Sequence, residues 1–150
     1  MEKKKLKIEE TFTLAFQNHQ KNNIKEAEVL YKKILEVDPN HLKSIFYLGS
    51  VSAQTKNFSE ARKLFKKAIQ IQPNYAEAHN NLGYALKELG KLSEAVTSFQ
   101  KALTIKPDYI TAYFNHGLAI ELQKDKKPFN PQLAFNKCIE NISLDKHSKT

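Results

Sequence analysis

The chain repeats itself every 34 residues, and this interval constrains its fold more than any other feature. The interval separates three prolines, Pro39, Pro73 and Pro107. It also separates three Glu-Ala pairs (26–27, 60–61 and 94–95), three aromatic residues (31, 65 and 99) and two Leu-Gly pairs (48–49 and 82–83). Because many independent positions share one period, chance is a poor explanation. Periods of about 20–50 residues are typical of repeat proteins.

Each unit is predicted to contain two helices, A and B. In the third unit, helix A runs from Tyr75 to about Leu89, with apolar residues at helical spacing. Gly90 is predicted to be a left-handed C-terminal cap, with Asn22 in register in the first unit. Ser93 then suits the N-cap of helix B. Helix B is expected to stop near Ile105, because the proline that follows cannot continue a helix.

Small residues mark the places where these helices should approach each other closely. Gly83, Ala95 and Ala102 recur in register with small residues of other units. A larger side chain at such a position would separate the helices, at a cost of about 1–3 kcal/mol. The sequence therefore predicts tightly packed helix pairs.

These positions resemble the pattern of the tetratricopeptide repeat family. The third unit carries that pattern as His79, Leu82, Gly83, Leu86, Ala95, Phe99, Ala102 and Pro107. The resemblance is to superhelical arrays similar to the repeat region of O-linked N-acetylglucosamine transferase. It implies one all-α domain over residues 1–150, a right-handed superhelical solenoid of antiparallel helix pairs. Three regular repeats are expected at about 8–41, 42–75 and 76–109, a degenerate fourth or capping pair at 110–143, and tails at 1–7 and 144–150.

The fourth unit departs from the pattern after its first helix. Tyr113 and Gly117 fit helix A, but residues 124–131 form a proline-interrupted loop. Residues 131–143 then look helical, with one apolar stripe of Phe135, Cys138, Ile139 and Ile142. Terminal repeats are expected to be atypical because one face meets solvent. Such an end could also support self-association of the chain.

The resemblance implies that the A helices line a concave groove that binds a protein or peptide. The predicted groove residues are Phe12, Phe16, Lys43, Phe46, Ser50, Glu77, Asn80, Asn81, Tyr84, Lys87, Phe114 and Asn115. The inner face as a whole carries two lysines and four glutamates, so the net charge of +8 must lie elsewhere, largely on the B helices. Nucleic-acid binding is not expected, because it would need lysine and arginine converging on one groove.

Two sets of groove residues have alternative interpretations. Phe12, Phe46 and Phe114 occupy equivalent positions, either as peptide anchors or as packing against a neighbouring helix. Asn81 and Asn115 lie one repeat apart. Asparagines at this place in similar arrays hold the main chain of an extended peptide, since an amide both donates and accepts hydrogen bonds. The alternative is that asparagine is simply common there.

The family's clamp for a C-terminal carboxylate is not expected here. Its first pair of basic and polar positions is held by Phe12 and Phe16, and the first later position by Glu77.

The sequence offers no evident catalytic chemistry. The five histidines form no ligand pair at helical spacing, and the single Cys138 lies on an apolar stripe. We therefore expect no cofactor and no enzyme activity. No secretory signal and no run of about 20 apolar residues is present, which predicts a cytoplasmic protein without a membrane span. The function expected is a protein-binding scaffold. The alternative is an N-terminal recognition or oligomerisation module of a larger enzyme, such as a glycosyl- or sulfotransferase.

Overall fold

A computed structural model of the chain describes residues 2–124 together with Asn136 and Ile139. The described residues form seven helices and no strand: α1 Glu2–Gln20, α2 Ile24–Val37, α3 Leu42–Gln54, α4 Phe58–Ile71, α5 Ala76–Glu88, α6 Leu92–Ile105 and α7 Ile110–Lys124. The predicted all-α helical repeat is confirmed. Helices α1, α3, α5 and α7 are the A helices, and α2, α4 and α6 are the B helices.

The turn from helix A to helix B is the same in all three complete repeats. It contains one residue with positive φ: Asn22 at 62°, Lys56 at 61° and Gly90 at 73°. In the third repeat the amide of Lys91 then donates to the carbonyl of Leu86 at 2.9 Å. A left-handed residue followed by this bond is a Schellman motif, which satisfies carbonyls at the end of the helix. The predicted cap at Gly90 is confirmed.

One predicted helix boundary was wrong. The N-cap of α6 is Lys91 rather than Ser93, because the Schellman turn places Lys91 with φ −88° and ψ 62° directly before the first helical residue. Ser93 lies inside the helix, where its hydroxyl accepts a hydrogen bond from Gln123 at 2.9 Å. At the N-terminus, α1 begins at Glu2, ahead of residue 8, where the first repeat is expected to begin. Its first residues are mostly lysine and glutamate, which are good helix formers.

The first compact unit of the chain, Met1–Pro73, contains α1 to α4. Here α1 packs on α2, α2 on α3, and α3 on α4. At the centre of the α3–α4 pair, a Cβ added to Gly49 would lie 2.8 Å from the ring of Phe65. Because real Cβ atoms do not approach a ring so closely, only glycine fits here. Phe65 is fully buried.

The second unit begins at Asn74 and contains α5 to α7. Helix α5 packs on α6, α6 on α7, and α5 makes a smaller contact with α7. A Cβ on Gly83 would lie 2.6 Å from the ring of Phe99. Ala95 and Ala102, also predicted as close-approach positions, are fully buried.

Several predictions concern residues outside those that the structure describes. They are the loop at 125–131, the last helix with Phe135, Cys138 and Ile142, and the tail at 144–150. Ile139 is described, and its side chain is 49% exposed. Among the described residues, no helix has both the length and the apolarity needed to cross a bilayer.

Candidate functional site

The predicted groove residues of the first unit surround one tyrosine. Tyr47 on α3 lies at the centre of five rings within 6.2 Å, contributed by Phe12, Phe16, His19, Tyr31 and Phe46. The closest is Phe16, whose ring meets Tyr47 edge-on at 5.0 Å. Edge-on and tilted ring pairs of this kind add about 0.5–1.5 kcal/mol beyond their buried area. The cluster therefore joins α1, α2 and α3.

Phe12 and Phe46 differ in exposure although they occupy equivalent repeat positions. Phe46 is 8% exposed and its ring lies 5.8 Å from that of Phe65, so it is a core residue. Phe12 is half-buried, and the ammonium of Lys43 lies 5.7 Å above its ring. Ser50 is also half-buried, with its hydroxyl donating to the carbonyl of Phe46 at 3.2 Å. Of these four, only Lys43 is exposed, and it lies over the half-buried ring of Phe12.

Tyr31 carries a hydroxyl that the surrounding side chains do not satisfy. Its side chain is fully buried, and its oxygen has no hydrogen-bond partner among the described residues. Burial raises the pKa of Tyr31 far above that of a free tyrosine, and the neighbouring Tyr47 raises it further. Phe65 and Phe99 occupy the equivalent positions one and two repeats later. Tyr31 is therefore a core residue whose hydroxyl forms no hydrogen bond with the described residues.

In the second unit, three asparagine side chains form a hydrogen-bonded chain between α5 and α7. Asn115 on α7 donates its amide to the oxygen of Asn80 at 3.1 Å, and Asn80 donates to Asn81 at 3.2 Å. Asn80 is 5% exposed, whereas Asn81 and Asn115 are half-buried. Among the described residues, the amide nitrogen of Asn81 and the amide oxygen of Asn115 have no partner. The chain thus ends in one available donor and one available acceptor.

Two aromatic side chains beside these asparagines are accessible. Tyr84 on α5 is 37% exposed and Phe114 on α7 is 36% exposed. The ammonium of Lys87 lies 5.2 Å from the ring centre of Tyr84 and is paired with Glu88. Because the positive charge of Lys87 is neutralised by Glu88, this face of α5 presents an aromatic ring and polar groups with little net charge.

Glu77 is directed to the end of α6 by its ion pair with Lys106, at 3.7 Å. Lys106 also lies 5.1 Å from the ring centre of Tyr109. Burial raises the pKa of Tyr109, and the charge of Glu77 raises it further. Both members of the ion pair are well exposed, so the pair contributes little to stability. The carboxylate of Glu77 is thus already paired with a residue at the end of α6, whereas Asn81 and Asn115 each keep one polar group without a partner among the described residues.

The histidines of the described region do not assemble a metal site. No group of three or more His, Cys, Asp or Glu residues there could hold a metal ion. His79 is buried. His116 has a buried Nε2 without a partner among the described residues, and its burial lowers its pKa.

Sequence reasoning missed the part that Asn80 plays. It was predicted only as one of the groove residues, yet it links Asn81 to Asn115. A signal was present: Asn80 and Asn115 are 35 residues apart, one repeat plus one residue, so neighbouring A helices place them side by side. The cation–π contact of Lys87 with Tyr84 was also missed, although a spacing of three residues puts both side chains on one helix face.

Solved structures with the same fold include several helical repeat proteins. The O-GlcNAc transferase of Thermobaculum terrenum is 20% identical with a TM-score of 0.80, over 94% of this chain and 26% of that one. MamA of Desulfovibrio magneticus RS-1 is 19% identical with a TM-score of 0.79, over 95% and 78%. The first TPR of Spaghetti (RPAP3), bound to an HSP90 peptide, is 20% identical with a TM-score of 0.77, over 80% and 95%. This chain spans about a quarter of the transferase. No curated protein matches the sequence.

Family models match most of the described region. The model described as TPR repeat matches residues 49–90 and 83–124, and the model described as Tetratricopeptide repeat matches residues 8–32. The first of these alone spans half of the chain. Together with the helix pairs and their recurring turns, the matches show that the chain belongs to the tetratricopeptide repeat family.

Proposed function

We propose that the chain is a non-catalytic scaffold and that the α5–α7 face of its second unit binds the main chain of an extended peptide. The asparagine chain carries this proposal. Its free ends, a donor on Asn81 and an acceptor on Asn115, are what a peptide carbonyl and a peptide amide require. Because these groups address the main chain, such a site would accept many sequences.

Tyr84 and Phe114 would supply the apolar part of binding. Each is about one-third exposed, so each ring has contacts within the unit and surface left for a ligand. Aromatic residues with this mixed exposure often provide much of the energy of an interface. The neutralised pair of Lys87 and Glu88 leaves the face open to peptides of either charge.

The remaining predicted groove residues belong to the first unit or are already engaged. Phe12, Phe16, Lys43, Phe46 and Ser50 lie in the first unit, and the burial of Phe46 removes it as an anchor. We propose Phe12 and Lys43 as that unit's contribution, since Lys43 is exposed and its ammonium lies over the half-buried ring of Phe12. A cytoplasmic location remains part of this proposal.

The test is capture of partners by the immobilised chain, followed by mass spectrometry. Tyr84→Ala and Phe114→Ala should each reduce the captured partners several-fold. Val29→Ala, which shortens a 58% exposed apolar residue on α2, is the matched control and should change nothing. Asn115→Ala should also weaken capture, with a thermal melt to show that α7 stays packed. Equal capture by all four variants would remove the proposed face from consideration.

A second candidate is a recognition or oligomerisation module within a larger enzyme. The fold match to about a quarter of the O-GlcNAc transferase chain favours this context. The same α5–α7 face would then present substrate proteins to a separate catalytic domain. The genomic reading frame beyond Thr150 distinguishes the two: a transferase domain in frame would support the second candidate, and a stop codon there would exclude it.

A further inference from the structure

A pocket on the first unit lies apart from the α5–α7 face. It has a volume of about 290 Å³ and lies between α1 and α2, lined by Lys7, Ile8, Thr11, Lys33, Ile34 and Val37. The floor is apolar, and Val37 is 42% exposed. Among the side chains that the structure describes, two ammonium groups and no carboxylate line the pocket. Its volume is at the lower end of the range of about 300–1,000 Å³ for small-ligand sites, so it fits one or two side chains rather than a helix.

The second repeat shows how the equivalent face is filled within the fold. Thr11 corresponds to Ile45, which is fully buried, so a larger apolar side chain occupies that place. Lys33 corresponds to Lys67, whose ammonium donates to the main-chain carbonyl of Pro39 at 2.6 Å. In the first repeat Thr11 is smaller than Ile45, whereas Ile34 is larger than the corresponding Ala68, and the pocket lies between the two helices that carry Thr11 and Ile34. The hydroxyl of Thr11 is already used, donating to the carbonyl of Lys7 at 2.7 Å.

The two ammonium groups on this pocket are not held in ion pairs by the described residues. Neither Lys7 nor Lys33 forms an ion pair with any side chain that the structure describes. Lys32, the neighbour of Lys33, differs because it is paired with Glu28 at 2.6 Å. Hydrogen bonds between ammonium and carboxylate groups are about twice as strong as neutral ones. The pocket therefore combines an apolar floor with two cations available to an acidic ligand.

We propose that this α1–α2 pocket is a second binding site, specific for a short acidic peptide segment that inserts a large apolar side chain. The apolar side chain fills the hollow beside Thr11 and contacts Ile8, Ile34 and Val37. Flanking aspartate or glutamate residues pair with Lys7 and Lys33. The site is separate from the α5–α7 face, so either can fail without the other.

The experiment is titration of the full ¹⁵N-labelled chain with three capped peptides, followed by amide chemical shifts. The first is Glu-Asp-Leu-Phe-Glu-Asp, the second replaces its four acidic residues with lysine, and the third replaces Leu-Phe with Ser-Ser. Only the first should shift the amides that line the pocket. Equal shifts with the lysine peptide or the serine peptide would overturn the proposal, as would no shift with the first.

Variants separate pocket binding from general charge attraction. Thr11→Ile fills the hollow with the residue found at position 45 and should abolish binding while leaving the melting temperature unchanged or higher. Lys33→Glu should weaken binding roughly tenfold through loss of a charge-assisted bond. Lys66 is an exposed residue of α4, and Lys66→Glu makes the same change in net charge, so this variant should bind the peptide as the wild type does. Binding that survives Thr11→Ile, or that Lys66→Glu weakens equally, would contradict the site.

A second copy of the chain is the competing occupant. If the pocket amides shift with protein concentration in the absence of peptide, and light scattering shows a dimer that Thr11→Ile removes, the peptide proposal fails. A monomer whose pocket responds to the acidic peptide alone would support it.

Discussion

Replacing Tyr31 with phenylalanine removes a buried hydroxyl and is expected to stabilise the protein. The side chain is fully buried and its oxygen has no partner among the described residues, so the folded state gives up the hydroxyl's hydrogen bonds to water. A buried unsatisfied group of this kind costs about 1–3 kcal/mol. The equivalent positions already hold Phe65 and Phe99, both fully buried, so the phenyl ring suits the packing. We expect the free energy of unfolding to rise by about 1 kcal/mol, and the melting temperature by about 2–4 °C.

The same substitution should change how stability depends on alkaline pH. A tyrosine in the unfolded chain ionises near pH 10, whereas burial raises the pKa of Tyr31 in the folded state. The free energy of unfolding is therefore unaffected by this group below about pH 10. Above that pH it falls, because the tyrosine ionises in the unfolded chain but not in the folded one, and the loss reaches about 1.4 kcal/mol at pH 11. Tyr31→Phe removes this loss. The stability difference between variant and wild type should grow between about pH 8 and pH 11.

Urea unfolding at pH 8 and at pH 11 measures the difference in stability between Tyr31→Phe and the wild type. Tyr47→Phe is the matched control, because Tyr47 is half-buried and stacks on Tyr31 at 6.1 Å. It removes the same hydroxyl from a partly solvated position and should change stability by less than Tyr31→Phe. A Tyr31→Phe variant less stable than wild type by about 1 kcal/mol would show that the hydroxyl has a partner and would refute the reasoning. So would a difference that stays constant from pH 8 to pH 11.

Three further substitutions test other features of the fold. Gly83→Ala should destabilise the second unit by about 1 kcal/mol, because overpacking against Phe99 costs about 1–3 kcal/mol and the gain in helix propensity offsets only part of it. In a denaturation experiment, the double variant Gly83→Ala, Phe99→Leu should regain part of the stability that Gly83→Ala alone loses. Lys56→Gly should raise the melting temperature by relieving a positive φ that Gly90 adopts without strain, and no change would count against strain at that turn. Burial lowers the pKa of His116, so its contribution to stability is present above about pH 6.5 and is lost as the pH falls below it. His116→Gln should flatten the acid limb of a stability profile, and an unchanged profile would contradict this.

The repeat could be predicted from sequence because each of its signals is local and recurs. Gly83 and its aromatic partner lie at fixed spacing, and the end of α6 at Ile105 follows from the proline after it. The left-handed turn at Gly90 was predictable for the same reason. The matching turn at Lys56 was harder to predict, because lysine rarely adopts positive φ and the packing of α3 on α4 imposes it.

The candidate sites were less predictable because they depend on contacts between helices. Register alone places Phe12 and Phe46 at equivalent positions, yet one is half-buried and the other is a core residue. The asparagine chain depends on the contact between α5 and α7, which brings residues 35 positions apart within 3.1 Å. The α1–α2 pocket lies where Thr11 and Ile34 stand in place of the Ile45 and Ala68 of the next repeat. No local pattern distinguishes these cases.

The contact between a glycine of helix A and a phenylalanine ring of helix B recurs in both units, at Gly49 with Phe65 and at Gly83 with Phe99. In each case the thickness of one aromatic ring sets the distance between two helices. That spacer is internal and changes little between repeats, with Ala15 and Tyr31 at the same positions of the first repeat, whereas the side chains around it on the surface differ from repeat to repeat. A chain built in this way can acquire a new ligand through a few surface substitutions without altering the dimensions of its framework. The four A helices differ in their exposed residues, whereas each has alanine or glycine at one repeat position, namely Ala15, Gly49, Gly83 and Gly117.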